Sequence, residues 1–259
     1  MTTVDSVLAE PGLPSSRVAL ITGAGRGIGA AIATRLHRLG MRVALLDRDG
    51  DAVAGLAREL GSDNGTALHL AVDVSDAEAL EAAVRRIADT WHSPDVLVNN
   101  AAHTIAGSVW EIGLDEWDEV LATNLRSVFV LTRLCTPEMR CRGWGRVVNL
   151  SSLAGQQGGT LAGAHYSAAK AGVVVLTKVF ARELAAHGVT VNAVAPSTVQ
   201  TPAVDDLGTE AVSDAVRSIP VGRLGRPVEV AGLVAYLVGE EGGYVTGATF
   251  DINGGSHMR

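Results

Sequence analysis

Along the chain, short apolar runs alternate with longer stretches in which apolar residues recur every three or four positions. "RVALITG" (17–23) is continuously aliphatic, the mark of a strand covered on both faces, and "GIGAAIATRLHRLG" (27–40) has a helical period closed by Gly40. The same rhythm predicts strands in "MRVALLD" (41–47), "TALHLAVDV" (66–74), "DVLVNN" (95–100), "RVVNLSS" (146–152), "VTVNAVAP" (189–196) and "ATFDING" (248–254). Between them the pattern predicts helices over 51–60, 76–91, 115–141, 164–187 and 227–239. Continuous rather than alternating apolar strands belong to parallel sheets. Right-handed crossovers then give a doubly wound α/β sheet of about seven strands with helices on both faces. One domain over 17–259 is expected, preceded by a loose tail over 1–16, with no internal repeat or low-complexity block.

Composition narrows the function classes. Net charge is −7, aromatic residues make up 4 % and no dense basic run appears, which argues against nucleic acid and leaves small neutral or anionic substrates open. No uninterrupted apolar run reaches the roughly 18 residues of a membrane span. The first sixteen residues carry Asp5, Glu10 and two prolines, unlike a secretory signal, so a cytoplasmic protein is expected. Cys135 and Cys141 make neither a disulfide framework nor a metal motif.

Chemistry enters at the end of the first strand, in "TGAGRGIG" (22–29). Gly23, Gly27 and Gly29 follow G-x-x-x-G-x-G, a longer turn than the G-x-G-x-x-G fingerprint. Glycines there let the backbone approach a pyrophosphate at a helix N-terminus, as in a Rossmann-type dinucleotide site. No Lys-Ser/Thr follows, so this is not a P-loop. Asp47 ends the second strand, where an acid accepts hydrogen bonds from the adenosine ribose and repels a 2′-phosphate, which favours NAD(H). Arg26 and Arg48 flank that position and keep NADP(H) open. The plainer reading of Arg48 is a solvated charge beside Asp47 or Asp49.

"AHYSAAKAGVV" (164–174) places Tyr166 and Lys170 four apart, on one helix face. Only two of the 21 basic residues are lysines, so a position that keeps lysine points to a need for a compact ammonium. A neighbouring ammonium favours the phenolate, and a fall of about three pKa units corresponds to about 4 kcal/mol. "NLSSLAG" ends a strand with Ser151 and Ser152, putting a hydroxyl at the carboxyl edge of the sheet, where doubly wound folds bind ligands. The plainer reading of one of these serines is turn capping. Asn124, inside a predicted helix, is locally unfavourable and signals a polar role.

Together these residues resemble the short-chain dehydrogenase/reductase family in its single-domain form, from Arg17 to Gly255. The resemblance is carried by "TGAGRGIG", Asp73-Val74, "NNAA" (99–102), Asn124, Ser151-Ser152, "YSAAK", "VNAVAP" and "GRLGRPVEVAGLVAYL". It implies Tyr166 as general acid/base, Lys170 on the nicotinamide ribose, Ser152 on the substrate oxygen and Asn124 anchoring a water. It further implies Gly23, Arg26, Gly27, Ile28 and Gly29 around the pyrophosphate, Asp47 and Arg48 at the ribose end, and Asp73 and Val74 beside adenine. Asn100 and Ala101 would lie along the cofactor path, with Pro196, Val199 and Thr201 near the nicotinamide. His103, Leu153, His165, Ser197 and Thr198 would line the substrate pocket, with Leu153 to Gly163 and Pro202 to Ile219 as a lid. The chain departs from the family where Ala102 and Ser197 replace glycines, changes that bear on pocket shape.

The implied activity is hydride transfer between nicotinamide and a secondary alcohol or ketone, without metal, in a homotetramer acting on a small carbonyl or alcohol. One rival is an NADPH-dependent 3-oxoacyl-carrier-protein reductase, whose carrier would need a basic patch, with Arg126, Arg133, Arg140, Arg142 and Arg146 as candidates. The other is a cofactor-sensing protein that kept the fold and lost the chemistry.

Overall fold

The aliphatic runs pair as strands because each is flanked by amphipathic helices able to cover both of its faces. The computed structural model describes residues 16–159, 162–205 and 208–258. Its strands are β1 (Val18–Thr22), β2 (Arg42–Asp47), β3 (Ala67–Ala71), β4 (Val96–Asn99), β5 (Gly145–Leu150), β6 (Val189–Pro196) and β7 (Thr249–Ile252). Its helices are α1 (Gly27–Arg38), α2 (Gly50–Glu59), α3 (Ala77–Thr90), α4 (Leu114–Leu121), α5 (Ser127–Arg142), α6 (Ala154–Gln157), α7 (Ala164–Leu184), α8 (Pro202–Asp205), α9 (Thr209–Ser218) and α10 (Pro227–Val238). The tail expected before residue 17 lies, except for Ser16, outside the described residues, as do positions 160–161 and 206–207 of the two lid stretches.

All seven strands run parallel in the order β3-β2-β1-β4-β5-β6-β7. The fold is the doubly wound Rossmann-type sheet that the sequence predicts. Strand residues alternate between two cores. Ala19, Ile21, Val43 and Leu45 face Ile32 and Leu36 of α1, Val53 of α2 and Val234 of α10. Val18, Leu20, Ala44 and Leu46 face Leu80 of α3, Leu131 and Met139 of α5 and Leu184 of α7. No helix among the described residues is long and apolar enough to cross a membrane.

Strand order reverses between β1 and β4, and doubly wound sheets open their ligand crevice at such a switch point. A hydroxyl fixes the two carboxyl ends there: Thr22 Oγ1 accepts the backbone N–H groups of Asn100 and Ala101, each at 3.0 Å.

One predicted element is divided. The helix expected over 115–141 is α4 and α5 joined by a π-helical turn at Ala122–Arg126, with Asn124 fully buried inside it. The wider turn gives the carboxamide room to bond backbone groups, which removes the local conflict that asparagine poses in an α-helix.

Candidate active site

The glycine turn leaves α1 open at its start. Its N-cap residue, Arg26, makes no side-chain cap and its first turn holds no acid, whereas Asp49 caps α2 and Asp76 caps α3. The first N–H groups of α1 therefore remain for an anion. Gly23 and Gly27 adopt left-handed φ values of 63° and 58°. A Cβ on Gly29 would stand 2.0 Å from the Gly23 carbonyl oxygen, so the close approach of helix to turn requires glycine. A backbone cradle with free N–H groups fits a dinucleotide pyrophosphate. Ile28 packs toward the core beneath it, and Arg26 is exposed. The methyl of Thr201 comes within 3.2 Å of where a Cβ on Gly27 would be, placing Thr201 over this turn.

Asp47 is tied to the cradle. One carboxylate oxygen accepts Gly25 N–H and the other accepts Asp49 N–H, both at 3.0 Å. Each oxygen keeps a further lone pair for a ribose hydroxyl. Arg48 beside it is exposed. Asp73 accepts Ser75 N–H at 2.8 Å. The Ser75 backbone and hydroxyl hold its carboxyl below the usual range, with weaker help from the charges of Arg48 and His103. Val74 next to it is buried. Asn100, expected along the cofactor path, braces the turn: its Nδ2 donates to the carbonyls of Thr22 at 2.9 Å and Gly23 at 3.1 Å. Ala101 presses on Gly23, where a Cβ would meet the Ala101 Cα at 2.8 Å.

The two serines after β5 separate in role. Ser151 Oγ donates to the Lys170 carbonyl at 2.8 Å and is buried. Ser152 Oγ accepts Ala154 N–H at 3.1 Å and lies near enough to the Tyr166 hydroxyl to lower its pKa, which leaves Ser152 as the serine of the site. Lys170 is 2 % exposed and its Nζ donates to the Leu150 carbonyl at 2.7 Å. Burial pulls this ammonium down to about 8. Gly155 lets α6 press against α7 at this point, since a Cβ there would lie 2.6 Å from the Lys170 carbonyl carbon.

The expected effect of Lys170 on Tyr166 needs correction. Burial pushes the phenol above its ordinary value, and the Ser152 and Thr104 hydroxyls pull it back. Burial outweighs the Lys170 ammonium, which donates to the Leu150 carbonyl and lies 5.7 Å from the Tyr166 ring centre. Thr104, absent from the sequence reading, is a second hydroxyl on the phenol. Its only sequence signal is its place after "NNAAH" in the loop that follows β4.

The Asn124 carboxamide is held by the backbone. Its Oδ1 accepts His103 N–H at 3.0 Å, and its Nδ2 donates to the carbonyls of His103 at 2.8 Å and Val120 at 3.0 Å. Backbone groups thus engage both ends of the carboxamide, and its work here is to hold the loop carrying His103 and Thr104.

The expected substrate pocket is partly reassigned. His103 is half-buried, with Nδ1 3.2 Å from Glu119. Leu153 donates its N–H to the Pro196 carbonyl at 2.8 Å, joining the ends of β5 and β6 beside Ser152. Ser197, Thr198 and Val199 face a cavity of about 190 Å³ completed by Ile219, Val221 and Asn253, and none of Ser152, Tyr166 or Lys170 lines it. Val199 pairs with Gly225, and Gly225 N–H donates to the Thr198 carbonyl at 3.1 Å. His165 is not a pocket residue: it is fully buried between α7 and α4, with Nε2 2.9 Å from Glu116. Of the five arginines considered for a carrier, Arg126, Arg133, Arg140 and Arg142 are exposed and Arg146 is not. Arg146 is 4 % exposed in the core, Arg142 pairs with Asp95, and Arg126 donates to the Ser75 carbonyl.

A sheet switch point, a glycine cradle at an uncapped helix and a Ser–Tyr–Lys cluster at the carboxyl edge define a dinucleotide-dependent enzyme fold, and the comparisons agree. A family model described as enoyl-(acyl carrier protein) reductase matches residues 23–257. The 3-oxoacyl-(acyl-carrier-protein) reductase FabG of Vibrio cholerae is 39 % identical over 242 residues, covering 93 % of this chain and 98 % of its own. Nodulation protein G of Azospirillum brasilense is 43 % identical over 244 residues, with coverage of 93 % and 98 %. Acetoacetyl-CoA reductase of Rhizobium meliloti is 40 % identical over 244 residues, with 94 % and 99 %. The chain belongs to the short-chain dehydrogenase/reductase family. It is an oxidoreductase of the kind that binds a nicotinamide cofactor.

Proposed function

We propose that the chain reversibly reduces the 3-carbonyl of a 3-oxoacyl thioester to the 3-hydroxyacyl thioester, with NAD(H) as cofactor. The observation that carries the reaction is the meeting of the Ser152 and Tyr166 hydroxyls at the carboxyl edge of the sheet, beside buried Lys170. The substrate class is supported by two relatives whose names specify a 3-oxoacyl or acetoacetyl thioester. The nicotinamide, when bound, supplies hydride in reduction and accepts it in oxidation. Tyr166 gives its hydroxyl proton to the carbonyl oxygen as charge develops there, and as phenolate takes it back in the reverse direction. Ser152 Oγ accepts a backbone N–H, so the one hydrogen it offers the phenol can turn to the same oxygen when substrate is bound. Thr104 donates to the phenolate once the proton has left. Gly23, Gly27 and Gly29 would hold the pyrophosphate and Asp47 the adenosine ribose.

The Asp47 carboxylate supports NAD(H), because a 2′-phosphate would meet its charge. A second reading keeps the substrate and changes the cofactor. A reductase of the carrier-protein type is expected to take NADPH, and Arg26 and Arg48 are exposed on either side of the acid. Parallel titrations following tryptophan quenching separate the two. NADH is expected to bind at least about tenfold more tightly than NADPH, a difference of about 1.4 kcal/mol, and the opposite order would make the arginines the selectors.

We also propose a homotetramer. Phe129 on α5 and Val175 and Val179 on α7 are exposed apolar side chains beside an open groove that Leu121 and Leu125 continue. Light scattering should give about four times the 26.7 kDa chain mass, and a monomer at working concentration would refute it.

A further inference from the structure

We propose that His165, held by Glu116, is the positioning residue that fixes the backbone at Tyr166, an inference that rests on the proposed role of Tyr166. Helix α7 has Gly163 at its N-cap position, with no side-chain cap and no acid in its first turn. In place of a cap, the imidazole of His165 folds back so that its Nδ1 accepts Tyr166 N–H at 2.9 Å. A ring nitrogen that accepts carries no hydrogen, so the bonding assigns the hydrogen to Nε2, which donates to Glu116 Oε1 at 2.9 Å. The ring is fully buried and is thereby pinned at both nitrogens.

The neighbouring chain is shaped around this ring. A Cβ on Gly163 would stand 2.4 Å from His165 Cε1, so the ring occupies the space that any other residue's side chain would take. Gly163 N–H donates to the Ile105 carbonyl at 2.9 Å, tying the start of α7 to the loop that bears Thr104. Glu116 lies in the first turn of α4 and reaches the ring across the α4–α7 contact. The backbone N–H of Tyr166 is thus fixed by a side chain that is itself anchored to a second helix. A phenol hydroxyl lies several bonds beyond that N–H, so a small rotation of the first turn moves it by ångströms relative to Ser152.

Three substitutions divide the two bonds. His165→Asn keeps an acceptor oxygen near the Nδ1 position and cannot reach Glu116. His165→Gln reaches Glu116 and lacks the near acceptor. His165→Leu removes both. The expected result is a fall in kcat of about tenfold for each single loss and about a hundredfold for His165→Leu. Each fall should come with a displaced basic limb of the kcat pH profile and an unchanged NADH titration. Glu116→Gln, which keeps an acceptor oxygen, should recover most of the turnover that Glu116→Leu loses. A lowered Tm with wild-type kcat and pH profile in all His165 variants would make the ring merely structural and overturn the proposal. Loss of NADH binding in these variants would overturn it too, by placing the damage at the cofactor. If instead Tyr166→Phe retains turnover, it is the assignment of Tyr166 that fails, whatever the His165 variants do.

Discussion

Replacing Tyr166 with phenylalanine is expected to lower turnover by about a thousandfold or more while leaving NADH binding intact. Phenylalanine keeps the ring and its packing at the start of α7, so the helix, the glycine cradle and Asp47 are untouched. What is lost is one hydroxyl at the point where Ser152 and Thr104 converge. Those two hydroxyls can polarise a carbonyl, but neither has a pKa suited to giving up a proton near neutrality. Steady-state turnover of a 3-oxoacyl thioester, alongside fluorescence titration with NADH, tests the claim. Turnover within a few-fold of wild type would remove Tyr166 as the acid. A protein without turnover in either form, which binds NADH equally, would be the cofactor-sensing alternative.

Lys170→Met should act in two ways that pull apart. Activity should fall at least about a hundredfold, because the ammonium beside the phenol is gone. Stability should change its pH dependence. In the folded protein burial holds the Lys170 ammonium at about 8, against an ordinary value of 10.5. Below about pH 8 the group is protonated in both states and the folded chain bears the whole cost of a buried charge. Between those values the unfolded chain holds a proton that the folded one has released, so stability rises with pH across this window. At about 1.4 kcal/mol per pH unit, wild type should gain about 3 kcal/mol on Lys170→Met from pH 8 to pH 10.5. Urea melts of both proteins at the two pH values measure it, and comparison with the variant cancels other groups that titrate there. Parallel curves would mean that water reaches the ammonium.

Much of this was legible in the sequence. β6 spans the predicted 189–196, α1 begins at the predicted Gly27, and α7 begins at the predicted Ala164, because buried strands and amphipathic helices write their period directly into the chain. The glycine spacing, Asp47 and the Ser152–Tyr166–Lys170 set were equally visible, since each is a residue type with a local reason. What was not legible depends on contacts between distant segments. Nothing near His165 announces Glu116, 49 residues away, so a fully buried ring was read as pocket lining. Thr104 has no periodic signal, only its place after "NNAAH". Asn124 was flagged by its local conflict, but no spacing rule foretold that a π-helical turn would resolve it. The direction of the Tyr166 shift is set first by burial, which the spacing of Tyr166 and Lys170 does not reveal.

The grip of Asn124 has a consequence for how such a site can change. Its carboxamide holds the loop after β4 by the main-chain N–H and carbonyl of residue 103, atoms that every amino acid except proline supplies in full. The side chain at that position is therefore free of the clamp. Substitutions at His103 can change the surface beside Thr104 while the backbone beneath Thr104 and Tyr166 stays in place, so side-chain chemistry there and catalytic geometry can drift independently over generations of sequence.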